Sequence, residues 1–240
     1  NHLPVVTSFR RQDLIDNRCE NFIGTLGTSV SPQLLEAFRD ADVILAVGSR
    51  LSDMTTNGYD LFDSSTNKVK LIHVYPDEKE INRIFTTELA ILADINEFVG
   101  HISNYSWFNS KKWDKWLSKL RNEYKQDLAV SNYNQNSDFT FICNNLNDYY
   151  LGSGEYIITL DAGNHTGWPQ RFLKYHQNCL QIGSTCGSMG YSIPASISSA
   201  LVFPQKKIIA FVGDGGFLMS GLEISTAVNN NLNIIIILIN

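Results

Sequence analysis

Apolar residues along the chain fall into two kinds of run. Leu3–Thr7, Val43–Val47, Val69–Tyr75, Leu89–Leu92, Tyr156–Leu160, Leu180–Ile182, Ile208–Val212 and Leu232–Ile239 are short and apolar on both faces. Such runs read as buried strands of parallel sheets. Between them lie stretches with apolar positions three and four apart, the spacing of a helix that buries one face. Ser31-Pro32 opens the first of these, with Ser31 as N-cap, Pro32 at the first helical position and Leu34, Leu35 and Phe38 on one side. Further helices are predicted from Asp77, over Ile95–Ile102 and Phe139–Tyr150, after Pro194 at a first helical position, and over Phe217–Val228, where Phe217, Gly221, Ile224 and Val228 form the stripe. Strands alternating with helices predict an α/β chain. Trp113, Trp116, Leu117 and Leu120 mark one side of a connecting helix within Trp107–Asp127, and the Asn-rich stretch Ser131–Ser137 reads as a linker. The division expected is 1–105, a connection over 106–137, and 138–240. Leu3–Thr7 reads as a strand into which something earlier leads, and no methionine opens the chain.

Composition adds exclusions. With 240 residues, 43% hydrophobic and 18% charged, the chain can bury a sizeable core. A net charge of −5, with no basic patch interleaved with aromatics, argues against nucleic acid as a partner. No apolar run approaches the ~20 residues of a membrane span, and no signal sequence opens the chain, so cytoplasm is the expected location. Cys19, Cys143, Cys179 and Cys186 contain no CxxC pair and read as reduced thiols, and the five histidines show no zinc-ligand spacing.

Candidate chemistry gathers at the ends of strands. Gly213-Asp214-Gly215-Gly216 lies between an apolar strand and a helix. Three glycines in four residues let backbone approach a ligand, and the helix presents free N–H groups and a positive dipole end to an anion. Asp214 is out of place in such a turn, since it repels a phosphate unless a divalent cation sits between them. The alternative is a helix cap. Asp161-Ala162-Gly163-Asn164-His165 and Gly183-Ser184-Thr185-Cys186-Gly187-Ser188-Met189-Gly190 follow two other strands. Met189 reads either as packing or as an apolar wedge against a flat ligand. Gly48, Arg50 and Asp77 lie where a nucleotide could bind, though a structural role is the simpler reading. Arg10, Arg11 and Asp13 are expected in a solvated loop with local ion pairs.

The unit strand, Gly-Asp-Gly, helix, strand, Asn240 resembles the thiamine diphosphate signature of the acetolactate synthase and pyruvate decarboxylase superfamily. Residues 46–50 and 71–77 resemble its central domain. The resemblance implies two parallel-sheet, three-layer α/β/α domains, a Rossmann-like central domain and a thiamine diphosphate-binding domain, both truncated. It implies that Asp214 binds Mg²⁺, with a second ligand just after Asn240, and that Gly215, Gly216, Asn164 and His165 contact the diphosphate. Gly187 would hold the aminopyrimidine's amino group, and Met189 would force the cofactor into its bent shape. Asn164 stands where acetolactate synthases commonly carry Gln. FAD is a second cofactor of flavin-containing members, but Tyr75 stands where those enzymes usually carry an acid. The activity implied is thiamine diphosphate- and Mg²⁺-dependent decarboxylation or carboligation of a 2-oxo acid such as pyruvate, by a homodimer or homotetramer. The activating glutamate belongs to a pyrimidine-binding domain for which no candidate stands in these 240 residues, so the chain alone is expected to be inactive, either as a fragment or as the ordered part of a longer protein. The rival is a non-catalytic nucleotide-binding α/β protein, which lacks a Lys-Ser/Thr after the glycines and leaves Met189 and Asn240 unexplained.

Overall fold

The computed structural model describes residues 2–62, 68–105, 111–129, 138–152 and 154–240. The 131–137 linker and Trp107 lie outside them. The chain is α/β with every strand pairing parallel.

In the N-terminal part, β1 (Val5–Thr7) pairs with β2 (Phe22–Thr25), and β3 (Val43–Val47), β4 (Lys70–Tyr75) and β5 (Leu89–Leu92) form a separate sheet. The strands pair in parallel, as the runs predict, but β3 is not covered on both faces. Ala46 and Leu71 are buried, whereas Val43 and Leu45 of β3 are about half exposed. The buried side packs on α1 (Pro32–Asp40) and α3 (Asp114–Asp127), whose Leu34, Ala37, Leu117 and Leu120 share one core with Ile23, Leu26, Leu61 and Phe85. The connecting helix is therefore part of this core. Ser31 caps α1, its Oγ accepting from Leu34 N at 3.2 Å. The helix expected from Asp77 is a single 3₁₀ turn, Glu78–Glu80, capped by Asp77. Ile95–Ser103 forms α2.

The C-terminal part holds α4 (Asp138–Asn145), which runs on as a π-helical turn to Leu151, and a four-stranded sheet of order β7-β6-β8-β9, where β6 is Tyr156–Leu160, β7 Leu180–Gly183, β8 Lys207–Gly213 and β9 Ile234–Ile239. The chain leaves β6 outward to β7 and then returns past it to β8, so the order reverses between β6 and β8. In open parallel sheets that reversal opens a crevice at the carboxyl ends of the strands. The two central strands are fully enclosed: Ile157, Ile158, Leu160, Ile209, Phe211 and Val212 have no exposed surface, with Ile157 opposite Ile208 and Ile158 opposite Ile209. β9, expected to be buried, is half-buried because among the described residues no strand pairs along its outer edge.

α5 (Gly167–Phe172) precedes β7, and α6 (Ser192–Val202) follows it. Pro194 lies at the third position of α6 rather than the first, which is tolerated because the first turn's N–H groups have no intrahelical partner. Ser192 Oγ donates to Thr159 O at 3.0 Å and fastens the start of α6 to β6. The helix expected over Phe217–Val228 begins earlier and is broken. It runs as α7 (Asp214–Ser220), a 3₁₀ turn at Gly221–Glu223 and α8 (Ile224–Asn229). Gly221 is the joint, since a Cβ there would lie 3.0 Å from the Phe217 ring.

The expected solvated loop at Arg10–Asp13 is instead docked on β7 and α5. Gln12 is buried and donates to Gln170 O at 2.8 Å, while Asp13 Oδ2 accepts from Gln181 N at 3.0 Å. Asn17, also buried, donates to Gln12 O and Ile15 O at 2.9 and 2.8 Å and exchanges two bonds with Tyr175, one through its backbone N at 2.8 Å and one through Oδ1 at 2.9 Å. This is polar stitching between the two parts of the chain. Asn17→Ala leaves the buried Tyr175 N–H without a partner and is expected to cost roughly 2–3 kcal/mol. Asp16→Ala, which removes an exposed pair with Arg18, is expected to cost under about 1 kcal/mol. Urea unfolding midpoints of the two variants check the difference.

Candidate cofactor site at the carboxyl end of the four-stranded sheet

Each predicted site residue falls at the same end of the β7-β6-β8-β9 sheet. Asn164 and His165 open the 3₁₀ turn after β6; Gly187 and Met189 lie in the loop after β7; Asp214, Gly215 and Gly216 form the first turn of α7 directly after β8. Gly213 is registered opposite Ile239, so Asp214 and Asn240 leave neighbouring strands side by side.

The pieces touch. A Cβ on Gly213 would lie 3.0 Å from His165 Cε1, so the imidazole rests on the start of the Gly-Asp-Gly turn, and a Cβ on Gly215 would lie 2.8 Å from Met189 Cε. Met189 is 46% exposed and so is not a core residue. Gly187 and Gly190, at φ 74 and 78°, lie in the left-handed region that the loop needs in order to turn back over the sheet. Asn164 and Gly187 are exposed at the crevice rim.

Two polar groups bear on what the site holds. His165 is partly buried, its Nε2 has no hydrogen-bond partner, and burial holds the imidazole below its usual range against the pull of Asp161 and Asp214. At neutral pH it is an uncharged ring with an unsatisfied nitrogen. Asp214 is exposed at the first position of α7. The residue before it, Gly213, is the N-cap, and no side chain caps the helix. The capping reading of Asp214 thus finds no hydrogen bond among the described residues. A free carboxylate, glycine amides at a helix start and an orphan imidazole nitrogen fit an anion bridged through a cation.

Asp161 is the residue that the loops do not advertise. It follows directly on the buried β6, is 1% exposed, and accepts from Ala162 N at 2.7 Å and from Gly190 N at 3.1 Å. A Cβ on Gly216 would press on its Oδ2 and come within 2.9 Å of its Cγ. One carboxylate therefore ties the turns after β6, β7 and β8 together. The available signal is an acid closing an apolar strand ahead of a small-residue turn, where backbone N–H groups collect.

Comparison of the sequence with known proteins identifies the family. The thiamine pyrophosphate enzyme central-domain model matches residues 1–102, and the model of the C-terminal TPP-binding domain matches residues 161–240. The chain belongs to the thiamine pyrophosphate enzymes. The acetolactate synthase large subunit of Porphyra purpurea is 26% identical over 99% of this chain and 40% of its own length. That of Lactococcus lactis is 27% identical over 99% and 41%, and isozyme 1 of Escherichia coli is 27% identical over 91% and 38%. The chain spans about 40% of the length of these relatives. It is thus an acetolactate synthase-like chain of this family. Among the described residues no three or more His, Cys, Asp or Glu cluster to hold a metal, and no helix is long and apolar enough to cross a membrane.

If Asp161 is the tie, Gly216→Ala forces it to release Gly190. A loss of roughly 2–3 kcal/mol is expected in chemical denaturation. Gly100→Ala, at an open position of α2 with no atom within 4 Å of the new methyl, is expected to gain about 0.5–1 kcal/mol.

Proposed function

We propose that this chain forms the diphosphate- and Mg²⁺-binding part of an enzyme that decarboxylates or carboligates a 2-oxo acid such as pyruvate. In this reading residues 138–240 are the thiamine diphosphate-binding domain and 1–105 the central domain, within a cytoplasmic homo-oligomer. The observation that carries it is the free Asp214 carboxylate, beside Asn240, at the start of a helix that follows a central strand. Magnesium prefers carboxylate together with phosphate oxygens and keeps waters, so one carboxylate suffices without a protein cage. The relatives' names, acetolactate synthase, point to the same chemistry.

Each residue then has a task. Asp214 holds the cation, with the second ligand expected just after Asn240. The Gly215 and Gly216 amides donate to the diphosphate, and Asn164 and His165 contact its flank; a neutral His165 can do so as a hydrogen-bonding group. The Gly187 carbonyl accepts from the aminopyrimidine's amino group, and Met189, above Gly215, supports the thiazolium. Thiamine diphosphate, when bound, supplies the electron sink for loss of CO₂. The protein supplies position and excludes water. Arg50 donates to Glu80 at 2.8 Å, so its charge is already engaged at the place where a flavin would contact it.

By calorimetry, Mg²⁺-dependent binding of thiamine diphosphate is expected and binding of ATP is not. Asp214→Ala is expected to abolish the Mg²⁺ dependence, and unchanged binding in that variant sinks the assignment.

Met189→Ala in the full-length enzyme is expected to lower kcat strongly while moving the melting temperature little; the reverse pattern assigns Met189 to packing. Residues 1–240 alone, with Mg²⁺ and thiamine diphosphate, are expected not to turn over pyruvate, because the activating glutamate is expected on another domain.

A further inference from the structure

Arg10 reaches the site from the opposite end of the sequence. Its backbone is in the left-handed region, at φ 60°, a conformation that costs a non-glycine residue energy and persists only where surrounding contacts enforce it. Its Nη1 donates to Ser184 O, its guanidinium lies 4.9 Å over the Phe9 ring, and its Cδ packs where a Cβ on Gly183 would meet it at 3.3 Å. Asp13, three residues on, holds the same loop to β7 through Gln181 N. The side chain is partly buried, within the fields of Asp161 and Cys186.

Ser184 is where the Gly187–Met189 loop is anchored. Its carbonyl also accepts from Gly187 N at 3.3 Å, and its hydroxyl accepts from Ser188 N at 2.9 Å. The far end of the loop is pinned by Gly190 N on Asp161. Residues 185–189 between these anchors are all exposed. Asp161 and Arg10 therefore hold the two ends of one loop, the first from within the C-terminal sheet and the second from the N-terminal part of the chain. Each end is held by a charge-assisted hydrogen bond, stronger than a neutral one.

We propose that Arg10 is a positioning residue that, through the Ser184 carbonyl, sets the Ser184–Gly190 loop in the form that receives the cofactor's reactive end. The cofactor half of this statement rests on the function proposed above. The loop half does not, and the two are measured separately. In the full-length protein without cofactor, amide hydrogen exchange at Gly187 and Ser188 is expected to rise about tenfold or more in Arg10→Ala, with exchange in β6 and β8 unchanged. Arg10→Lys, which keeps the charge without the planar fork, is expected to fall between Arg10→Ala and wild type. Arg11→Ala, at the exposed neighbour, is expected to match wild type. Calorimetry with Mg²⁺ is expected to show thiamine diphosphate binding about tenfold weaker in Arg10→Ala. Wild-type exchange at Gly187 and Ser188 in Arg10→Ala, or a rise spread equally over β6 and β8, overturns the positioning role. A loop that loosens in Arg10→Ala, in a protein whose wild type binds no thiamine diphosphate, upholds Arg10 and sinks the cofactor assignment.

Discussion

The site depends on one buried carboxylate. The turns after β6, β7 and β8 come from stretches of sequence dozens of residues apart, and none is long enough to hold its own shape. Asp161 gives them a common point, accepting from Ala162 and Gly190 and occupying the space a Gly216 Cβ would need. A carboxylate this enclosed is costly unless hydrogen-bonded, and the partners that offset the cost are backbone N–H groups of the loops themselves. The constraint runs both ways: Gly216 has to be glycine because Asp161 is there, and the β7 loop has to come back over the sheet to supply Gly190.

That constraint explains what could be read from the residues and what could not. Tyr156–Leu160, Val43–Val47 and Leu89–Leu92 are strands with the bounds their runs suggest, because Glu155 and Asp161, Asp42 and Gly48, and Glu88 and Asp94 close around them. The loop after β7 was legible as well, since Gly187 and Gly190 adopt left-handed backbone that leaves few alternatives to glycine. β2 was not legible: Phe22–Thr25 carries only two apolar residues before Gly24 interrupts it, too few to stand out as a run. The break at Gly221 was hidden because Phe217, Ile224 and Val228 keep helical spacing across it. Asp161 was missed because a single acid has no pattern, and its role appears only when three loops meet.

Arg10, Gln12, Asp13 and Asn17 make the same point from another direction. A run of polar residues looks like a solvated loop because most such runs are. Here each of these side chains finds a backbone partner across the seam, and the burial of Gln12 and Asn17 follows from those bonds. The seam is specific rather than merely sticky, since a hydrogen-bonded contact tolerates one register, whereas an apolar one tolerates several.

Asp214 shows how magnitude assigns chemistry. At the first position of a helix its charge is favourable by about 0.3–1 kcal/mol through the dipole, which is why the carboxylate can stand there with no partner. A diphosphate at the same helix start changes the balance. Two like charges about 4 Å apart in a partly exposed site repel by about 4 kcal/mol, several times what the dipole returns to either. The glycine amides alone cannot offset that for a ligand carrying several negative charges. A divalent cation, as in the function proposed above, would reverse the sign of the interaction and let Asp214 fix the anion rather than expel it. The same turn with a neutral residue at 214 would bind phosphate without metal. In the function proposed above, the carboxylate would make the metal a condition of binding; it stands one residue beyond the last registered pair of β8 and β9, beside Asn240.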